Sequence, residues 1–145
     1  MIKEHCQKLE SMYLRANVNT KIYDTTECRI DEGTSEIKLT VNDKYFHALG
    51  AIHGSVYFKL LDDAAFFAVN SIVQDVFVLT TSFNINLVRP ISQGKIKAVG
   101  KVKFISKNHY VAESTLYDEN GKEAAYGTGT FAKSKVNLCE SLGYK

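Results

Sequence analysis

The chain has 145 residues, 45% of them hydrophobic and 23% charged, enough apolar material for one ordinary soluble domain and too balanced for a disordered or fibrous chain. Eighteen Lys and Arg against sixteen Asp and Glu leave a net charge of +2 with no basic block to track a phosphate backbone, so nucleic acid is not an expected partner. Cys6, Cys28 and Cys139 are odd in number and widely spaced, without metal-ligand or disulfide patterning, and Met1 to Glu10 is charged rather than apolar. Together these predict a cytoplasmic protein with no metal site and no membrane span.

In chain order, Ile2, Cys6, Leu9, Met12 and Tyr13 recur at helical spacing and predict an amphipathic helix over 2–15. A strand is expected over Lys21 to Ile30, turning at Asp31-Glu32-Gly33-Thr34 into a second strand. There Ile37, Leu39 and Val41 alternate with Glu36, Lys38 and Thr40. His53 to Ile72 reads as one long helix, apolar on most sides, with only Lys59, Asp62 and Asp63 charged in its middle. Such a helix belongs inside the fold or assembly. Four strands follow, over Val76 to Val88, Lys95 to Ser106, Tyr110 to Tyr117 and Ala124 to Lys133. In the second of them Ile96, Ala98, Val102 and Phe104 are expected on one face. Asp118-Glu119-Asn120-Gly121 marks a tight hairpin, and Val136 to Lys145 reads as a loose tail. The order predicts a single α+β domain over 1–145, with a core at about 17–135 and an antiparallel sheet packed on one long helix.

The chemistry concentrates around that helix. Gly50 and Gly54 flank its start, where the backbone can approach a ligand, and the first helical N–H groups lack carbonyl partners and can donate to a developing oxyanion. Asp63 follows Lys59 by four residues and can pair with it on the helix surface. Asp62, turned about 100° away, lines up with Phe58, Ala65, Phe66 and Val69 and so faces apolar surroundings, where a carboxylate can activate water.

The run Gly50-Ala51-Ile52-His53-Gly54-Ser55 followed by Leu60-Leu61-Asp62-Asp63-Ala64 resembles the G-x-x-H-G-G…L-x-D-x-A signature of PaaI-type hotdog thioesterases. Thr80 to Pro90 resembles the following strand of that family, and the similarity covers roughly residues 35–133. The resemblance implies a hotdog fold and hydrolysis of an acyl-CoA. Asp62 would be the nucleophile or the base, attacking across a dimer interface. Gly54 would supply an N–H to the thioester carbonyl, His53 would shape the turn near the thioester sulfur, and Thr80 would stand close to the attacking water. Arg89, Lys103 and Lys107 are the cations implied for the CoA nucleotide, and Tyr57, Phe58, Phe66 and Phe67 the bulky acyl-pocket residues. A dimer is the implied minimal unit, with tetramers common in the family, and no cofactor is implied.

Two positions depart from the pattern. His47 stands where many relatives have Asn; it too can donate a hydrogen bond. Ser55 replaces the second Gly of His-Gly-Gly and adds a side chain where a ligand would approach. The competing expectation is a module that binds acyl-CoA without hydrolysing it. A hotdog hydratase is disfavoured by the absence of an Asp-x-x-x-x-His arrangement.

Overall fold

The computed structural model describes residues 1–145. Helix α1 (Ile2–Arg15) leads through a π-helical turn (Val18–Ile22) into β1 (Glu27–Asp31) and β2 (Thr34–Thr40). A 3-10 turn (Asp43–Tyr45) precedes the central helix α2 (Gly54–Asn70). Strands β3 (Val76–Leu87), β4 (Lys95–Ile105), β5 (Tyr110–Tyr117) and β6 (Glu123–Asn137) follow, and a last 3-10 turn spans Glu140–Leu142. The six strands form one antiparallel sheet in the order β1-β2-β4-β5-β6-β3, with α2 packed across it. This is the expected hotdog arrangement. No helix is long and apolar enough to cross a membrane.

Three small residues seat α2 on the sheet. Ser114 Oγ donates to the Leu61 carbonyl at 2.8 Å, and Ser35 Oγ donates to that of Ala64. A Cβ at Gly100 would lie 2.1 Å from the Ala64 oxygen. Leu60, Leu61, Ala64, Ala65, Ala68 and Val69 are completely buried there, and each large side chain among them contributes about 1.5–3 kcal/mol. The helix ends where the buried Asn70 amide donates to the Val73 and Val76 carbonyls and accepts from the Val78 N–H, tying it to the start of β3.

Strand β3 lies at a sheet edge and changes parity at a bulge around Thr81. Val78 and Thr80 face the helix before it. Phe83, Ile85 and Leu87 do so after it, with the Phe83 ring lying over Gly127 and Gly129 of β6, where a Cβ would overlap it.

Four expectations need correction. The chain over Lys21 to Ile30 is not one strand: Asn19 donates to the Tyr13 carbonyl, holding a helical turn through Ile22, and β1 begins only at Glu27. A register shift between Val102 and Phe104 turns Phe104 away from Ile96 and Ala98 into solvent. The last strand extends to Asn137 rather than stopping at Lys133. The tail is docked, not loose, because Leu138 N–H donates to the Asp75 carbonyl and Tyr144 OH pairs with the buried His5 Nδ1 at 2.8 Å. The other His5 nitrogen lies 2.8 Å from the Asn70 carbonyl.

Candidate active site

The two adjacent carboxylates of α2 have opposite surroundings. Asp63 Oδ2 receives Lys59 Nζ at 2.7 Å and Tyr13 OH at 2.7 Å, and the same Lys59 Nζ donates to Tyr13 OH and lies over the Tyr13 and Tyr23 rings. All three members of that cluster are spent on one another. Asp62 has one side-chain partner, Thr80 Oγ1, which donates to its Oδ1 at 2.8 Å. It opens into a cavity of about 300 Å³ shared with Thr80, Phe66 and Phe77. Burial pushes the Asp62 carboxyl up to about 6. The Thr80 hydroxyl offsets part of that push, the charge of Asp63 adds to it and Lys59 counters it. A carboxylate so placed is ionised at neutral pH yet basic enough to take a proton from water.

The start of α2 forms a second concavity. His53 is the N-cap residue, and its Nδ1 accepts from the Ser55 N–H at 3.0 Å, with Ser55 Oγ 2.8 Å away. The Ser55 side chain therefore folds back on His53 and leaves the approach to the helix open. The Gly54 N–H has no acceptor within the chain. Gly54 lies with His47, Tyr57, Leu87 and Arg89 around a cleft of about 330 Å³. Tyr57 OH donates to the Arg89 carbonyl and Arg89 Nε to that of Glu123, fixing the loop that forms the far side. His47 shapes the turn before the helix: its Nδ1 accepts from the Leu49 N–H, and its carbonyl from that of Gly50, whose φ is +81°.

Asp62 lies eight residues beyond Gly54 on the helix, a rise of about 12 Å. One chain thus keeps the candidate base and the candidate oxyanion donor at different concavities. Asp62, Thr80 and Phe66 come together in one, and Gly54, His53, His47 and Arg89 lie at or beside the other. Phe58 stands between them, 41% exposed, edge-on to Phe83. Lys103 and Lys107 are apart from both: Lys103 pairs with Glu113 toward the far end of β4, and Lys107 sits in the turn beyond it. Tyr57 and Phe67 are buried, Phe67 against Phe66 and Tyr13.

Sequence reasoning missed Tyr13 as the third member of the Asp63 cluster, although its place on the buried face of α1 was visible. It also missed the remainder of the Asp62 cavity wall: Met12, whose helical spacing marked it only as buried, and Ala16, Val18 and Leu142, for which no local pattern exists.

Residues 49–125 match the family model described as thioesterase superfamily. A protein of Saccharolobus solfataricus named as a candidate esterase, SSO1253, is 27% identical over 103 residues, covering 71% of this chain and 69% of that one. Among solved structures, the E. coli PaaI protein from the phenylacetic acid degradation operon superposes with a TM-score of 0.84 at 20% identity, over 94% of this chain and 98% of its own. Thioesterase HI1161 of Haemophilus influenzae does so with a TM-score of 0.73 at 19% identity, over 88% of each chain.

Proposed function

The chain belongs to the thioesterase superfamily, and on that premise we propose that it hydrolyses an acyl-CoA to the free acid and CoA, with Asp62 as the catalytic carboxylate and a homodimer as the smallest complete unit. The observation that carries this reading is the isolation of Asp62: half-buried, held by a single hydroxyl, and facing an apolar cavity while its neighbour takes the cation. A binding module gains nothing from a desolvated carboxylate beside an anionic ligand. A hydrolase can use one to activate water.

In the proposed reaction a water held near Asp62 and Thr80 attacks the thioester carbonyl carbon while Asp62 accepts its proton. The carbonyl oxygen becomes an oxyanion, stabilised by the free N–H of Gly54 of the partner subunit and by the positive end of that helix. Collapse expels CoA thiolate, which takes up the proton, leaving a carboxylic acid and a thiol. Attack by Asp62 itself, through an anhydride that water then opens, gives the same products. Neither route calls on a metal or redox cofactor.

The roughly 12 Å between Gly54 and Asp62 along one helix supports the two-subunit site. So does the unpaired outer edge of β3, which carries exposed Leu79 and, with the loop after it, Leu87 and Val88. Pairing of dimers into a tetramer and a cytoplasmic location are part of the proposal. Arg89, beside the helix-start cleft, is the first candidate to meet the CoA phosphates. Lys103 and Lys107 can join it only from another subunit.

The test is CoA thiol release from a panel of acyl-CoAs by the wild type, Asp62→Asn and Asp63→Asn. Turnover lost in Asp62→Asn alone supports the assignment. CoA esters bound with no turnover on any substrate would replace it with the binding-module reading.

A further inference from the structure

The cavity at Asp62 runs away from the start of α2. Phe66 follows Asp62 by one helical turn, about 6 Å along the axis, and its ring lies 5.2 Å from that of Phe77 at the opening of β3. Beyond them the wall is built by neither α2 nor the sheet. Met12 comes from the last turn of α1, Ala16 is the residue that ends it, Val18 begins the π-helical turn, and Leu142 belongs to the last 3-10 turn. These four lie outside the family-matched residues 49–125. The segment bearing Leu142 is held in place, since the Gly143 N–H closes the turn on the Glu140 carbonyl and Tyr144 is bonded to His5.

Two properties of this space define an occupant. Its volume, about 300 Å³, stands at the lower end of ligand sites, roughly 300–1,000 Å³. Its lining contains no cation: the two charged residues are Asp62 and Asp63, and the Tyr13 hydroxyl is committed to Asp63. A second carboxylate on the substrate would be desolvated there without a partner.

We propose that the two ends of the chain set the acyl specificity: Ala16, Val18 and Leu142 form the end wall of the acyl cavity and admit a compact, uncharged acyl group while excluding long fatty chains and dicarboxylic acyl groups. The proposal rests on the acyl-CoA reading and adds to it which residues measure the chain. Val18 and Leu142 are 40% and 37% exposed, and neither belongs to the buried core clusters, so shortening either removes wall rather than core.

The experiment measures kcat/KM of the full-length protein on straight-chain CoA esters from acetyl to palmitoyl, with succinyl-CoA beside butyryl-CoA, for the wild type, Val18→Ala, Leu142→Ala and Ala16→Phe. The wild type is expected to prefer a chain well short of palmitoyl and to use succinyl-CoA on the order of a hundredfold less well than butyryl-CoA. Each Ala variant is expected to raise the ratio of longer to shorter substrates by on the order of tenfold, and Ala16→Phe to lower it. The same length profile in all four proteins, or palmitoyl as the best wild-type substrate, would overturn the proposal. If the wild type hydrolyses nothing, the same ladder of non-hydrolysable S-alkyl-CoA thioethers, followed by calorimetry, separates the two readings. Binding whose length preference shifts with the variants keeps the wall and removes the hydrolysis, whereas unshifted or absent binding removes the wall as well.

Discussion

Asp62 and Asp63 are the same side chain on the same helix, one residue apart, and the fold gives them opposite fates. Asp63 looks toward α1, where Lys59 and Tyr13 neutralise it. Asp62 looks toward β3, where a hydroxyl is all it receives and burial holds its carboxyl near 6. The difference teaches what withheld compensation does: a satisfied buried charge is scaffolding, and an under-satisfied one beside a cavity is left available for chemistry.

The strongest way to break the comparison is to neutralise each carboxylate in turn. Asp62→Asn is expected to lower kcat for thioester hydrolysis by about 10²–10⁴-fold, while Asp63→Asn stays within about tenfold of the wild type; equal losses in steady-state assays would dissolve the distinction. Stability should then move in opposite directions. Asp63→Asn weakens charge-assisted hydrogen bonds to Lys59 and Tyr13 and is expected to cost about 1–3 kcal/mol in denaturant melts. Asp62, by contrast, keeps its proton up to about 6 in the folded chain against 3.8 ordinarily. Between those values the folded state binds more protons than the unfolded one, so stability falls as pH rises through the window. Asp62→Asn removes that loss and should stabilise the protein at neutral pH by about 1–3 kcal/mol, an advantage that disappears below about pH 4. Melts at the two pH values check both the size and the sign.

A finer test is Thr80→Val. The hydroxyl favours the ionised carboxylate, so its loss should shift the acid limb of the pH–kcat profile upward and slow the reaction by about tenfold, one hydrogen bond's worth. A limb that stays in place would mean that Asp62 does not govern it. Ser55→Gly should do least, changing kcat/KM by less than about threefold and stability by less than about 0.5 kcal/mol, because the Ser55 side chain already turns back to His53. A large rate gain in steady-state assays would show that it obstructs the site after all.

Much of this was legible in the sequence because it is periodic. The 3.6-residue repeat of α1 and α2 and the alternation of β2 announce their own burial. The partition between Asp62 and Asp63 was legible for the same reason, since Lys59 stands four residues before one and Phe58 four before the other. The Thr80 position was suggested by family resemblance, but its bond to Asp62 depends on the parity of β3, which changes one residue later at the Thr81 bulge. What escaped was long-range. Ile22 and Tyr23 suit a strand, yet the Asn19 contact with Tyr13 holds the preceding residues helical. The tail has no pattern at all, because its order comes from His5, a partner 139 residues away. Met12, Val18 and Leu142 meet only once α1, the turn after it and the tail are in place.

Gly100 has a further significance that its position conceals. It sits on β4, far from β3 in the sheet order, and what it contributes is missing matter: without a Cβ, the Ala64 carbonyl settles where a methyl group would otherwise stand. Asp62 lies two residues before Ala64 on the same rigid rod, so the depth to which that rod sinks sets how far its carboxylate hangs from the Thr80 hydroxyl. Position 100 is in effect a set screw for the spacing between Asp62 and Thr80, and a single methyl there would turn it outward from the opposite side of the molecule.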